Sequence, residues 1–339
     1  MNVRLHKEIF SDPALQADVS FLIRTMVRRH HKILLDEDIS DHAAGLDQTD
    51  LRILNDSFAA TMIGDPVTPS CHVVKDASEI HSEKRFGVKE AIRYVESPLL
   101  ILIENGTNDS RFIRAIINLY LPAKSMAQDA YTEGWMRFEN GGGCTGVQTR
   151  IEGIVEPYND RYKFLRCYVI LDGDKRYDTQ TVTKYDKVKE FLTKHNIPYH
   201  ILEKRCMENY LPTDSFPDQG TNRRWLKVFN SLTPRQRDYY NIAEGFAGDV
   251  PQPRKKEINP QLTNVRSLLP VDQQTFYSSL SDYSFTTLTR GYQLKNFKKR
   301  FPAGFQHPST HRASLDALTA HQDTPDELSI IATTINSLL

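Results

Sequence analysis

The chain has 339 residues, 39% hydrophobic and 25% charged, a composition that excludes a disordered protein. Its 43 Lys and Arg balance 43 Asp and Glu, so no global basic field advertises nucleic acid, although a neutral protein can still hold a local basic groove. The four cysteines (Cys71, Cys144, Cys167, Cys206) form no CxxC pair, and no run approaches the roughly 18 apolar residues of a membrane span; this argues against a zinc site, a disulfide framework or a leader peptide and for a reducing cytoplasm.

At this length two or three domains are expected. Residues 1–95 read as a helical N-terminal region. "DPALQADVSFLIRTMVRRHH" offers Asp12 as N-cap and Pro13 at the first helical position. Leu15, Val19, Leu22, Ile23 and Met26 keep helical spacing behind them. "DLRILNDSFAATMI" and "GVKEAIRYVES" add two helices. Residues 96–215 alternate short apolar runs with helical patterns: strand "LLILI", helix "SRFIRAIINLY", extended stretches at "GWMRFENGGG" and "VQTRIEGIV", strand "CYVIL", helix "KYDKVKEFLTKHN" and strand "YHILEK". Continuous apolar strands separated by helices predict an α/β unit, a mostly parallel sheet with helices on both faces. Residues 216–339 read as a helical C-terminal region through "NRRWLKVFNSL", "PRQRDYYNIAEGF", "VDQQTFYSSLSDY", "YQLKNFKKRF" and "PDELSIIATTINSLL", with a turn-rich link at "GDVPQPRKKEINP". No internal repeat is visible.

The chemistry concentrates at strand ends. Strand Leu99–Ile103 runs into Glu104, then Gly106 and Asp109; strand Cys167–Leu171 runs into Asp172, Gly173 and Asp174. In an open parallel sheet, functional groups gather beyond the carboxyl ends of the strands. Carboxylates brought together repel each other unless a cation joins them, and oxygen-only ligands suit Mg²⁺ or Mn²⁺. Alone, a D-x-D at a strand end is more often a turn or cap; the two clusters in this order are what point to a metal site.

"LLILIENGTND", "LDGDKRY" and "HILEKRCMENYLP", with the glycine-rich "FENGGGCTGV", resemble the TOPRIM domain of overcoming-lysogenization-defect (OLD) nucleases and related phage-defence proteins over about 115 residues. The resemblance implies a TOPRIM core flanked by the two helical regions. It also implies a Mg²⁺- or Mn²⁺-dependent nuclease with metal ligands Glu104, Asp109, Asp172, Asp174 and Glu208 and with Glu104, Asp172 and Asp174 catalytic. Asn105 is an apparent one-residue insertion, so Asn108 or Asp109 fills the second acid position, the spacing favouring Asp109. Cys206 stands where the family often has an acid, and Lys295 is the candidate for a lysine found in a later helical segment. DNA is the favoured substrate and transfer RNA the alternative; a catalytically degenerate binding subunit is a third reading. The fused relatives carry a P-loop, but none of the 16 glycines here precedes lysine. This chain therefore binds no ATP by that route, and the expected partner is a separately encoded ATPase in an anti-phage system.

Other features carry less. Lys204 and Arg205 are equally readable as phosphate holders or as solvated charges. "LKNFKKRF" interleaves aromatics with cations as single-strand binders do, but an inward-packed helix explains it more cheaply. His30-His31 and Cys71-His72 lack metal-ligand spacing, and the glycines at 141–143 suit a phosphate contact or a flexible turn.

Overall fold

The computed structural model describes all residues except 40, 44, 78–83, 107, 159–160, 217–221, 253, 258–264 and 295, and the side chains of all described residues except 144–145 and 256–257. Among the described residues, eight strands form two separate four-stranded sheets, each entirely parallel. Among these residues no helix is long and apolar enough to cross a membrane.

The first sheet corrects the expectation of a purely helical N-terminal region. Strands β1 (Asn2–Leu5), β2 (Lys32–Leu34), β3 (Cys71–Val73) and β4 (Arg85–Phe86) line up in the order β2-β1-β3-β4. Helices α1 (Gln16–Arg28) and α2 (Gln48–Ile63) connect the first three, and α3 (Val88–Glu96) follows β4 on the way to the second sheet. Val3, Leu5, Leu22, Met26, Val73 and Phe86 build their shared core. Strands of two to four residues are too short to show a period in sequence. Helix α1 also begins later than expected, because Asp12 closes a turn by accepting from the Ala14 N–H (3.0 Å) and pairs with Lys75 (3.0 Å). Asp47 caps α2, its carboxylate accepting from the Thr49 and Asp50 N–H groups, both at 2.9 Å.

The second sheet comprises β5 (Leu99–Ile103), β6 (Met136–Asn140), β7 (Cys167–Leu171) and β8 (Tyr199–Ile201), ordered β6-β5-β7-β8. It repeats the strand order of the first, a likeness invisible in the sequence. Helices α4 (Asp109–Tyr120), α5 (Met126–Thr132), α6 (Cys144–Val155) and α7 (Asp186–Lys194) link the strands. Alternation sorts the side chains between two faces: Ile101, Ile103 and Ile170 join Phe112 and Ile116 of α4, while Leu102, Val169 and Leu171 join α6 and α7. "VQTRIEGIV", expected as extended, is the body of α6. Val147, Ile151 and Val155 recur at every fourth position and bury one helical stripe, which overrides their β-branched preference.

The C-terminal region is helical but broken into α8 (Asn222–Asn230), α9 (Pro234–Tyr239), α10 (Gly245–Asp249), α11 (Val271–Phe276), α12 (Asp282–Leu288), α13 (Phe297–Arg300), α14 (Arg312–Thr319) and α15 (Glu327–Leu338). These helices extend the core on the α4 side of the second sheet, with α15 against α4. Buried Arg166 fastens this layer, donating to the carbonyls of Ser97 (2.7 Å) and Leu338 (2.8 Å). The two sheets meet at more than one place: the end of α1 lies against the segment before β6, with His30 and Trp135 at 5.8 Å between ring centroids. The crossover between α6 and β7 sends Tyr158 and Phe164 into the core of the first sheet, where Phe164 meets Phe86 at 5.5 Å between ring centroids.

Candidate functional site

The order β6-β5-β7-β8 means the chain leaves β5 toward one side and later returns to its other side as β7. The connection reverses between these two adjacent strands, which is where open α/β sheets form a crevice at their carboxyl ends. Glu104 ends β5 and Asp172 ends β7, with Leu102 opposite Val169 in register. The strand-end acids therefore share one edge.

Each neighbouring turn has a local cause. In the Asp172–Gly173–Asp174 turn, a Cβ on Gly173 would lie 2.2 Å from the Lys204 carbonyl oxygen and 2.4 Å from that of Leu202, so only glycine admits the segment leaving β8. Asp174 takes a left-handed φ of 54° and donates its N–H to the Arg205 carbonyl at 2.7 Å. That approach brings in the Met207–Tyr210 turn: the Met207 N–H donates to Asp172 Oδ1 at 3.3 Å, and Glu208 follows it. On the β5 side, Asn105 makes the turn that the extra residue requires. Its N–H donates to Asp109 Oδ2 at 2.7 Å and its carbonyl accepts from the Asp109 N–H at 2.9 Å. Asp109 is buried and faces the other acids, whereas Asn108 stands at the helix N-cap, so of the two it is Asp109 that joins the acid cluster.

The five carboxylates act on one another. Burial, then the negative charges of Glu104, Glu208, Asp109 and Asp174, hold the Asp172 carboxyl well above the ordinary range. Glu104 is raised by burial and by Asp174. Asp109 is pushed up to about 7, chiefly by burial, with Glu208 and Glu104 adding to it.

Three residues not anticipated from the sequence complete the site. Tyr185, just before α7, has its hydroxyl 3.5 Å from Glu104 Oε1 and hydrogen-bonded to Asp174; burial and Asp174 raise its phenol pKa. Lys184 pairs with Asp174. Lys298 of α13 reaches Glu208 at 3.8 Å, and that charge raises its pKa. Lys295, the expected lysine, lies outside the described residues; Lys298, three residues on in sequence, is the cation at Glu208. A tyrosine and two lysines carry no local spacing signal, because their relation to the acids exists only through the fold.

The donor set is all oxygen, and the repulsion among its acids is what a cation such as Mg²⁺ or Mn²⁺ would relieve. Among the described residues, however, no three of His, Cys, Asp or Glu form a ready ligand shell; Asp174 and Glu208 face Lys184 and Lys298 instead.

The phosphate-holding reading of Lys204 and Arg205 is corrected. Lys204 is buried against Asp238 (2.7 Å), and Arg205 makes two bonds to Asp249 (2.6 and 2.9 Å). Both brace the segment that carries Glu208. Glu203 turns away and accepts from the Asp323 N–H at 3.1 Å. Cys206 is buried and donates to Asn209 Oδ1 at 2.9 Å. Gly142 and Gly143 adopt left-handed φ angles of 67° and 75° in the turn after β6. Comparison with known protein families, with characterised proteins and with solved structures finds no match for this chain.

Proposed function

We propose that the chain is a divalent-metal-dependent nuclease with a TOPRIM-type core resembling that of the OLD family, hydrolysing phosphodiester bonds in DNA, with RNA such as transfer RNA as the alternative substrate. One observation carries the reading: Glu104 and the Asp172–Gly173–Asp174 turn end adjacent parallel strands at the point where the connection reverses, with the Tyr185 hydroxyl between Glu104 and Asp174. Glu104, Asp172 and Asp174 would hold one Mg²⁺ or Mn²⁺, and Asp109 and Glu208 a second. When bound, the ions supply polarisation of the scissile phosphate and stabilise the leaving oxygen.

The protein groups do the rest. Glu104, made more basic by burial and by Asp174, accepts the proton of the attacking water. Lys298 and Lys184 hold phosphate oxygens through charge-assisted hydrogen bonds. Arg205 and Lys204, locked in buried pairs, keep the Glu208 segment rigid. We further propose that the chain is the effector of an anti-phage system whose ATPase is a separate protein, since no glycine here precedes lysine as a P-loop requires.

A second reading, a non-cutting binding subunit of an ATPase complex, draws on the hold of Lys184 and Tyr185 on Asp174. The test is incubation of the chain with Mg²⁺ or Mn²⁺ and plasmid, linear DNA and total transfer RNA, beside Asp172→Asn and Asp174→Asn. The nuclease reading expects cleavage that both variants lower by orders of magnitude. Cleavage at wild-type rates by both variants would falsify it, and Mn²⁺ binding in calorimetry without any cutting favours the binding subunit.

A further inference from the structure

Beside the acids, α13 has a second face. While Lys298 points to Glu208, Phe297 and Arg300 line a cavity of about 240 Å³ together with Phe216, Tyr292, Phe301 and His307. This is below the roughly 300–1,000 Å³ of pockets for drug-sized ligands, which is the space of a single ring system. Its walls are aromatic and ordered. The rings of Phe216 and Phe297 are parallel within 6° with centroids 6.4 Å apart, and Tyr292 meets Phe216 edge-on at 5.2 Å. A planar ring stacked between two others takes about 7 Å, twice the optimal carbon–carbon contact of about 3.5 Å, so a base entering the 6.4 Å gap has to part the two rings slightly. Arg300, Ala303 and His307 are exposed at the mouth, and Arg300 has no ion pair among the described residues.

The 3₁₀ turn Phe301–Gln306 walls this cavity on one side and a second one, of about 230 Å³, on the other. Arg111 and Arg114 line the second cavity. They project from the exposed side of α4, the helix whose first residue is Asp109. An aliphatic ligand would use neither the paired rings nor the guanidinium groups. Arg111 and Arg114 have no ion pair among the described residues, Arg114 resting over the Tyr131 ring at 4.5 Å, and stacking walls beside such cations are how proteins grip unpaired nucleotides.

We propose that the cavity lined by α13 and the Phe301–Gln306 turn is a nucleobase pocket, and that the chain takes its substrate as single-stranded nucleic acid, with one base stacked against Phe216 and Phe297 and the backbone passing Arg111 and Arg114. The inference rests on the nuclease reading for what happens at the acids, and the base pocket is tested separately from them.

The experiment uses the full chain in Ca²⁺ with a short single-stranded DNA carrying 2-aminopurine and with the same sequence as a hairpin duplex. Wild type is expected to quench the 2-aminopurine and to bind the single strand roughly tenfold or more tightly than the duplex, as one stacked base allows. Ala303→Leu, which fills the mouth without touching the core, should abolish the quench and most of the preference; Arg300→Ala should weaken both. Unchanged emission on binding, equal affinity for the two forms, or an Ala303→Leu protein that behaves as wild type would each overturn the pocket. Mn²⁺ calorimetry on the same preparations, with Asp172→Asn as the blank, separates the two claims. Lost quenching with intact Mn²⁺ binding sinks only the pocket, whereas quenching without Mn²⁺ binding keeps the pocket and sinks the nuclease.

Discussion

Asp109 shows the cost of gathering acids. Its carboxyl keeps its proton in the folded chain up to about pH 7, while an unfolded aspartate loses it near 4. The folded state thus binds more protons between those values, and stability falls as pH rises across that window. Asp109→Asn keeps an oxygen acceptor for the Asn105 N–H and removes the charge. It should stabilise the chain at pH 8 by on the order of 2–4 kcal/mol, with little gain at pH 4. Urea titrations at both pH values check this, and an equal effect at the two would refute the electrostatic account. At this scale the site was legible where it was contiguous. Glu104 and Asp172 each follow an unbroken apolar strand, Asp174 comes two residues after Asp172, and Asp109 opens the helix that follows Glu104. Lys184, Tyr185 and Lys298 were not legible, because nothing near them in sequence marks which acid they will meet. Lys204 and Arg205 misled for the converse reason: their partners, Asp238 and Asp249, are more than thirty residues away.

Among elements, the five-residue strands and the long helices other than α6 are legible in the sequence, and the short strands are not. β5 and β7 are continuous apolar runs buried on both faces, while β3 and β4 together hold five residues. Helix α6 was misread because its β-branched residues satisfy a strand pattern and a helical one alike; the buried Val147, Ile151 and Val155 stripe decides it only once α7 lies alongside. The crossover after α6 gives the sharpest element-level expectation. Phe164 is 4% exposed within the first sheet's core, so Phe164→Ala should cost about 3–5 kcal/mol. The loss should appear in the distant first unit, as faster amide exchange in α3 and β4, with β5 and β7 protected as before. Loss of protection confined to β7 would contradict the shared core.

For the molecule as a whole, the two cores should respond to pH in opposite senses. His31, buried and hydrogen-bonded to the Val95 carbonyl, is pushed down to about 2, mainly by burial. The unfolded histidine protonates near 6.5 and the folded one does not, so the first unit loses stability as pH falls below about 6.5. The second unit, governed by its raised carboxyls, loses stability as pH rises toward 7, and Mg²⁺ should cancel that loss if the acids hold it. Calorimetry at pH 5 and pH 8 should therefore show the two transitions shifting in opposite directions between the two pH values; shifts of the same sign would count against the assignment. The junction at Tyr158 and Phe164 has a further consequence for how the protein is made. When α3 leaves the ribosome, the first unit still lacks an aromatic plug encoded about 70 residues downstream. At about 5–20 residues per second, that plug follows roughly 4–14 s later. For that interval the nascent chain carries an open hydrophobic socket, a window in which a chaperone would engage it and in which translational pausing would lower the yield.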